Sequence, residues 1–337
     1  MKDSLNVKLV DIQYTKKLVA GLKLDLFQEL FWWELIEKGF DKRCKVALIT
    51  KHHENMALLP LFFHKIGPLI RVGSPLRGTF TPYIDFIWLA EGIEIEQKKK
   101  YIKIIAEYLI EDGIRWIELS FSSAGEEIYG CLAELNFKDS QSNTLILNTD
   151  KTEENLWIGM EGRARNLVRK AEKSDLIVKY LNPNDKNVDI FYSLLESTFA
   201  KNKMKPPHSK YFYKLLIDKL ITTNNLLFLS VEKDAKIVAM GIFLFNSIQI
   251  HFISGTSSAI GNKFGANNLM HWEVIKFASR KNINKYDFGG LGIKSIDKFK
   301  QSFGGGNDNY ISYTWMTPLV RAMFNLLNLV RSKIKIF

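Results

Sequence analysis

The chain has 337 residues, of which 47 are Lys or Arg and 36 are Asp or Glu, so its formal net charge is +11 at pH 7. This length predicts about two domains, and a content of 46% hydrophobic and 25% charged residues excludes disordered, collagenous and coiled-coil chains. The positive excess favours a polyanionic partner, such as nucleic acid, an acidic membrane surface or a phosphate-bearing substrate, without choosing among them.

The predicted elements of the first half alternate between helices and strands. In chain order they are a helix over 25–40, strands over 46–50 and 56–63, a turn-rich segment over 73–82, a helix over 98–111, a strand over 114–121, a helix over 126–135 and a strand over 143–147. Mixed α/β is therefore the predicted class.

The second half repeats this alternation. Its predicted elements are helices over 152–173, 188–200 and 209–220, strands over 226–232, 237–245 and 249–254, a helix over 267–280, a strand over 285–288, a short helix over 296–303, a strand over 310–315 and a final helix from about 319. Aligning Ile114 with Ile283 superposes helix, strand and helix at a spacing of 169, which indicates an internal duplication. The predicted domains are 1–150 and 151–317, followed by a C-terminal helix over 318–337.

Cysteine use and hydropathy exclude further classes. Cys44 and Cys131 are far apart and form no Cys-x-x-Cys, so we expect buried thiols rather than a disulfide framework or a cysteine-based metal site. His52-His53 has no third ligand at a plausible spacing, so no metal is expected. The N-terminus lacks a signal-peptide stretch, and no uninterrupted apolar run is long enough to span a membrane, which predicts a cytoplasmic protein.

One carboxylate stands at the end of a predicted strand in Tyr-Asp-Phe-Gly-Gly. Asp287 is followed there by Gly289 and Gly290, and glycines allow backbone amides to approach a ligand closely. The alternative is an aspartate that only caps the next turn.

A lysine follows this motif on a predicted short helix. Lys300 lies between Phe299 and Phe303, two apolar residues that can fix where its ammonium points. The alternative is a solvated lysine.

Three basic segments could contact anions. Arg165, Arg169 and Lys173 are spaced to form one helix face, and the segment 201–213 interleaves four lysines with Pro-Pro and aromatic residues. Solvated surface is the alternative for both segments.

The third basic segment is the final helix. It has no acidic residue. An apolar stripe runs along it through Leu319, Met323, Leu326, Leu327 and Val330. This stripe could pack on the domain or lie on an anionic membrane.

Taken together, these strings resemble the FemABX-type peptidoglycan aminoacyltransferases and the wider FemAB-like group with a tandem acetyltransferase (GNAT) fold. The matching strings span nearly the whole chain, and they are Phe27–Trp33, Ser74–Gly78, Arg165–Lys173, Asn268–Trp272, Tyr286–Gly290 and Phe299–Gly304. The resemblance implies two GNAT-like domains with mixed sheets flanked by helices.

The resemblance also implies amide-bond formation on an amine of a cell-envelope precursor, in peptidoglycan or surface polysaccharide, with aminoacyl-tRNA as the donor. Lys300 is then the cation facing the transition state, and Asp287 orients the acceptor, receives its proton or braces the glycines. The implied substrate contacts are Arg77, Arg165, Arg169, Lys205, Tyr211, Gly289, Gly290, Phe299 and Phe303.

Two other functions stay open at this point. One is an acyl-CoA-dependent N-acyltransferase acting on an amino sugar, although Gly261–Ala266 is only a distorted version of the usual pyrophosphate loop. The other is a non-catalytic GNAT-like binding module. The partners expected are tRNA, a nucleotide- or lipid-linked sugar and the anionic inner face of a membrane, with no tightly bound cofactor.

Overall fold

The computed structural model describes residues 5–201, 203–221, 223 and 225–334. These residues form two compact units. The first contains the described residues up to Ser142 together with those from Asn309 onward, and the second contains Asn143–Asp308.

The strands lie in both units. In chain order they are β1 (Leu5–Val10), β2 (Arg43–Lys51), β3 (Glu54–Ile66), β4 (Leu69–Ser74), β5 (Ile87–Trp88), β6 (Trp116–Ser122), β7 (Lys138–Asn148), β8 (Ile177–Tyr180), β9 (Leu226–Lys233), β10 (Lys236–Phe245), β11 (Gln249–Ser257), β12 (Lys285–Gly290) and β13 (Gly306–Met316).

Helices connect most of these strands. The α-helices are α1 (Ile12–Thr15), α2 (Leu30–Gly39), α3 (Ile95–Glu111), α4 (Glu126–Tyr129), α5 (Glu153–Gly159), α6 (Gly162–Lys173), α7 (Asp185–Ala200), α8 (Lys210–Leu220), α9 (Ala259–Phe264), α10 (Ala266–Arg280), α11 (Lys294–Gln301) and α12 (Pro318–Ile334). Short 3₁₀ helices cover Leu26–Gln28, Ser123–Gly125 and Gly130–Leu135.

The first unit is a mixed sheet with the strand order β1-β2-β3-β4-β6-β13. Only β4 and β6 are parallel neighbours in this order, and β5 pairs with β3. Helix α3 places Tyr101, Ile105 and Leu109 on one face at a spacing of four, and all three are buried in the core of this unit. The burial of that apolar stripe holds the helix on the sheet.

The second unit repeats the arrangement. Residues 144–148 of β7 lie beside β12 in the order β7-β12-β11-β10-β9-β8, and β11 and β12 are the parallel neighbours. Helices α6 and α10 bury Val168 and Ile275 in its core, which also contains Phe243 of β10. The strands β6 and β12 begin at Trp116 and Lys285, which keeps the 169-residue spacing of the sequence repeat.

The predicted domain boundaries differ from these units. The end of β7 lies before the predicted boundary at Asp150 but pairs with β12, so it belongs to the second unit. Similarly, Tyr310–Met316 pairs with β6 and belongs to the first. Each unit therefore completes its sheet with a strand from the other half of the sequence. Helix α12 is also part of the first unit, with Val320 buried and the ring of Phe324 against Trp116.

Other elements also differ from those predicted. The single helix predicted over 152–173 is two helices, because the chain breaks at Glu161, whose N–H donates to the carbonyl of Ser302 over 2.9 Å. The helix predicted over 126–135 is one α-helical turn followed by a 3₁₀ helix. Strands β1, β4, β5 and β8 have no predicted counterpart.

Two further predictions concern the thiols and the membrane. Cys44 and Cys131 are buried free thiols, as predicted. In the part of the chain that the structure describes, every helix is too short or too polar to cross a lipid bilayer.

Candidate functional site

The centre of the site is the ammonium group of Lys300 on α11. Its Nζ donates to the carbonyl oxygens of Gly289, over 3.0 Å, and Gly290, over 2.6 Å, and the residue is only 8% exposed. Burial lowers the pKa of Lys300, although the charges of Asp287 and Asp297 partly offset this effect. An ammonium has three donors, so one has no partner among the described residues and is available to a ligand.

The conformation of Gly289 makes this contact possible. The β7–β12 register shifts between Asp287 and Gly290, and Gly289 has a φ of +79°. Glycine adopts this left-handed backbone without a steric penalty. The irregular strand end thus turns two successive carbonyls toward one ammonium.

Asp287 is fixed from three directions beneath these glycines. It accepts hydrogen bonds from the Thr144 hydroxyl, over 2.5 Å, and the Gly289 N–H, over 2.7 Å, and its second oxygen lies 3.1 Å from Nδ1 of His251. Burial alone raises the pKa of Asp287, but the neighbouring His251 and these hydrogen bonds outweigh it and lower the pKa below 3.8. The carboxylate is therefore held ionised and immobile.

A cavity of about 550 Å³ lies next to the ammonium. The lining residues that matter here are Lys300, His271, Phe252, Phe299, Met270 and Asn267. Oδ1 of Asn267 is buried and has no hydrogen-bond partner in the described part of the chain, so it can accept an N–H or O–H from a bound molecule.

His271 forms a neutral wall of the cavity. Burial, and then the charge of Lys300, lower its pKa to about 3. Its Nδ1 shares a 2.5 Å hydrogen bond with the hydroxyl of Tyr286, and its ring stacks on Phe288 with centroids 5.4 Å apart. At neutral pH the imidazole is uncharged, so it shapes the cavity and leaves Lys300 as the charged side chain there.

A second cavity, of about 630 Å³, shares Ser295 and Phe299 with the first. It is lined by the cationic side chains of Arg163 and Lys298 and by one acid, Glu161. The sequence motifs did not indicate this pair of cations, because they come from two helices that are far apart in the sequence.

Two members of the predicted cationic stripe on α6, Arg165 and Arg169, contact the protein itself. Arg165 donates to the carbonyl of Ile158, over 2.8 Å, and Arg169 places its guanidinium over the ring of Trp157 at 5.2 Å. Both charges therefore lie near the carboxyl end of α5. Arg165 interacts there with the negative end of the helix dipole, and Arg169 makes a cation–π contact with Trp157.

The other predicted contacts are more dispersed. Lys205 and Tyr211 are exposed in the second unit and line neither cavity, and Arg77 is an exposed residue of the first unit. Phe303 is fully buried beneath Phe299, so it supports the site from the core. Asp287 also lines neither cavity, because its oxygens face Thr144, Gly289 and His251.

Comparison with known proteins identifies the family of the chain. The FemAB family model matches residues 15–220, and an acetyltransferase (GNAT) domain model matches residues 161–310. The chain belongs to the FemAB family. Its similarity to the aminoacyltransferase FemB of Staphylococcus epidermidis is 25% identity over 108 residues, which is 29% of this chain and 26% of that protein.

Solved structures share the fold over nearly the whole length. The crystal structure of FemX superposes on this chain with a TM-score of 0.72 at 14% identity, and the match covers 95% of this chain and 99% of FemX. L-PGS from Bacillus licheniformis gives 0.58 at 11% identity, covering 96% and 98%, and a tandem GNAT protein from the clavulanic acid pathway gives 0.56 at 8% identity, covering 93% and 98%. The predicted tandem GNAT-like fold and the FemAB resemblance are confirmed.

In this FemAB-family chain, the segment Gly261–Ala266 is not an open loop. Its first residues belong to α9, and α10 begins immediately after Gly265. The N–H of Gly261 donates to the Ser258 hydroxyl, and the N–H of Asn262 donates to the Ser258 carbonyl. These amides are therefore already used within the helix and do not form a cradle for a pyrophosphate.

Sequence motifs missed four residues of the site, namely Thr144, His251, Asn267 and His271. His271 lies in the matching string Asn268–Trp272, to which no site role was assigned, and no local pattern distinguishes the other three. His251 meets Asp287 only because the parallel pairing of β11 and β12 sets these two residues opposite each other. Among the described residues, no three His, Cys, Asp or Glu side chains are grouped so that they could hold a metal ion.

Proposed function

We propose that this FemAB-family chain is an aminoacyltransferase that forms an amide bond on an amine of a cell-envelope precursor, with aminoacyl-tRNA as the donor. The observation that carries this proposal is the buried Lys300 ammonium. It is held by two carbonyls and keeps one donor free beside a 550 Å³ cavity.

The chemistry requires stabilisation of one negative charge. The acceptor amine attacks the carbonyl carbon of the aminoacyl ester, and the carbonyl oxygen becomes an oxyanion in the tetrahedral intermediate. The ester C–O bond then breaks, the amide C–N bond remains, and the proton lost by the amine passes to the departing tRNA hydroxyl. The free donor of Lys300 suits the oxyanion, and such a contact typically contributes ~3–4 kcal/mol to transition-state stabilisation.

Asp287 is a positioning residue in this mechanism. It lines neither cavity, so it does not receive the proton directly. Its hydrogen bond from the Gly289 N–H holds the strand end whose carbonyls fix Lys300. Of the roles implied for Asp287, bracing the glycines is the one that this geometry supports.

Two observations support aminoacyl-tRNA over acyl-CoA as the donor. The amides of Gly261 and Asn262 are occupied within α9 and are not available to a CoA pyrophosphate. The second cavity instead presents Arg163 and Lys298, and two separate cations suit a phosphate chain entering beside the Lys300 cavity. Arg77, Lys205 and Tyr211 stay predictions as contacts to a nucleotide- or lipid-linked acceptor, and a cytoplasmic location follows from this donor as part of the proposal.

The test is an assay of the full chain with radiolabelled aminoacyl-tRNA and, in parallel, labelled acetyl-CoA. Nucleotide-linked and lipid-linked peptidoglycan precursors serve as acceptors. We expect label to enter the acceptor from aminoacyl-tRNA. Transfer from acetyl-CoA alone would make the chain an acyl-CoA-dependent N-acyltransferase, and transfer from neither would favour a binding module.

The decisive variant is Lys300→Met. Loss of the oxyanion contact should lower turnover about 100- to 1000-fold while the protein stays folded. Lys294→Met, an exposed residue at the start of the same helix, is the matched control and should keep its activity. Near-normal turnover of folded Lys300→Met would remove Lys300 from the mechanism.

A further inference from the structure

Helix α12 in the first unit leaves most of the apolar side chains that the structure describes there uncovered. Val320 is buried and Phe324 packs edge-on against Trp116, with ring centroids 5.2 Å apart, so this face attaches the helix to its unit. The adjoining face stays in solvent, with Leu319 at 72%, Met323 at 49%, Leu326 at 63% and Leu327 at 54% exposure.

The charges of this segment have one sign. Residues 318–337 include four cations, Arg321, Arg331, Lys333 and Lys335, and no Asp or Glu. An exposed apolar stripe next to cations alone is typical of a helix that lies in the plane of an anionic membrane surface.

A cavity of about 850 Å³ opens at the edge of the sheet where α12 begins. The N–H of Thr317 donates to the carbonyl of Arg115, which ties the start of the helix to the rim of the cavity. The rim carries three exposed cations, Arg43, Lys65 and Arg115, and one acid, Asp112. The apolar lining includes Phe63, Leu69 and Ile70.

Two further cations lie near this edge, and one of them, Arg71, is ion-paired with Glu118. Burial and the nearby charges of Lys42 and Arg71 lower the pKa of His64, which lies on β3 between the lining residues Phe63 and Lys65. The parallel strands β4 and β6 begin at this edge, so the cavity lies at their amino ends. The Lys300 site of the second unit instead follows the carboxyl end of β12. Ligand clefts of α/β sheets lie at carboxyl ends, so this cavity is not the first unit's counterpart of that site.

We propose that this edge of the first unit, comprising α12 and the 850 Å³ cavity, binds an anionic lipid bilayer. The apolar stripe of α12 enters the interface between headgroups and acyl chains. The cavity takes the phosphate of one phospholipid at Arg43, Lys65 and Arg115 and the first part of its acyl chain against Phe63, Leu69 and Ile70. The proposal does not depend on the transferase chemistry.

The test is sedimentation of the full chain with two kinds of vesicle. One contains phosphatidylcholine alone, and the other contains equal parts of phosphatidylcholine and phosphatidylglycerol. We expect binding to the anionic vesicles that weakens in high salt, and much weaker binding to the neutral ones. Equal binding to both, or binding to neither, would overturn the proposal.

Variants separate the two parts of the surface. The double variant Leu326→Ser/Leu327→Ser should reduce partitioning at least about tenfold, whereas Ile158→Ser, an equally exposed apolar residue on α5, should not change it. The contrary case is a parent chain that self-associates without binding vesicles and a double variant that no longer self-associates. This result would show that a second copy of the chain covers the stripe, and it would overturn the proposal.

The cationic rim is tested by Arg43→Gln/Arg115→Gln. Each lost charge should weaken binding to anionic vesicles about fivefold. Lys236→Gln/Lys281→Gln, which removes two exposed charges from the second unit, is the control and should weaken it far less. Equal losses of vesicle binding in the two double variants would show that binding depends only on net charge. That result would contradict a specific binding surface at this edge.

Discussion

Lys300 keeps an ammonium inside the protein because main-chain carbonyls replace part of its water shell. The carbonyls of Gly289 and Gly290 accept from it, and Asp287 supplies a negative charge nearby. The cost of burying the charge is therefore only partly compensated, which lowers its pKa. A lysine in this condition is strongly oriented and loses its proton more readily than an exposed one.

This condition predicts an alkaline limit to activity. If transfer needs the charged ammonium, kcat/KM falls as pH rises through the lowered pKa of Lys300, and the fall begins below the ordinary lysine value of 10.5. In Lys300→Arg the guanidinium stays charged, so whatever activity remains should lack this limb. Initial rates over the alkaline range, corrected for spontaneous ester hydrolysis, provide the measurement, and an identical limb in both proteins would assign it to another group.

Asp287 predicts an acid-sensitive contribution to stability. Its pKa is lowered in the folded protein, so its ionised form stabilises the fold above about pH 3.8, and this stabilisation is lost as pH falls through the folded value. Asp287→Asn should lower the free energy of unfolding by about 1–3 kcal/mol at pH 7, since it removes a buried carboxylate that accepts hydrogen bonds from Thr144 and Gly289. The difference from wild type should shrink toward pH 3.

Urea titrations at several pH values measure this effect. Asp218→Asn, an exposed residue on α8, is the control and should change the unfolding free energy by less than about 0.5 kcal/mol. A difference for Asp287→Asn that is independent of pH would show that the ionised carboxylate is not the source of the stabilisation.

At the scale of elements, the helix that presents Lys300 is positioned by a close backbone contact. Gly304 follows α11 with a φ of +86°, and a Cβ built on it would lie 2.5 Å from the carbonyl oxygen of Gly159 at the end of α5. The N–H of Glu161 donates to Ser302 in the same region. These contacts set the end of α11 against the junction of α5 and α6.

We therefore expect Gly304→Ala to destabilise the fold by about 2–4 kcal/mol, from the left-handed backbone together with the steric clash. Gly306→Ala is the matched control, because its added Cβ would have no atom within 4 Å, and it should be close to neutral. The difference between their denaturation midpoints is the measurement. Equal midpoints would show that α5 moves away at little cost.

Periodicity predicted the elements that bury one regular face, and α3 and α10 are examples. It did not predict the break between α5 and α6, which Gly159 and Gly162 flank and where the Glu161 N–H donates to Ser302, a residue distant in the sequence. The motifs likewise indicated Lys300, Asp287 and the two glycines, but not His251 or Thr144. Those two reach Asp287 only through strand pairing, which a local pattern does not contain.

At the scale of the whole molecule, the sequence repeat and the compact units follow different boundaries. The 169-residue spacing is a property of consecutive residues, whereas each sheet is completed by a strand from the other half. Leu145 and Leu147 of β7 are buried in the core of the second unit, although they precede the predicted boundary at Asp150.

This arrangement predicts that fragment 143–308 is more stable than fragment 151–308. The shorter fragment lacks two buried leucines and the Thr144 hydroxyl on Asp287, so its unfolding free energy should be lower by at least about 3 kcal/mol. Thermal melts of both fragments provide the measurement. Equal stability would indicate that β7 is not an integral strand of this unit.

The strand exchange also has a consequence during synthesis. Strand β6 ends at Ser122, and one of its two edges pairs with β13. That edge gains its partner only when β13 leaves the ribosome, about 190 residues later. At about 5–20 residues per second, this edge waits roughly 10–40 s with its N–H and C=O groups unpaired. The half of the protein that is translated first is thus completed last, and the nascent chain must protect an open sheet edge until its C-terminal region emerges.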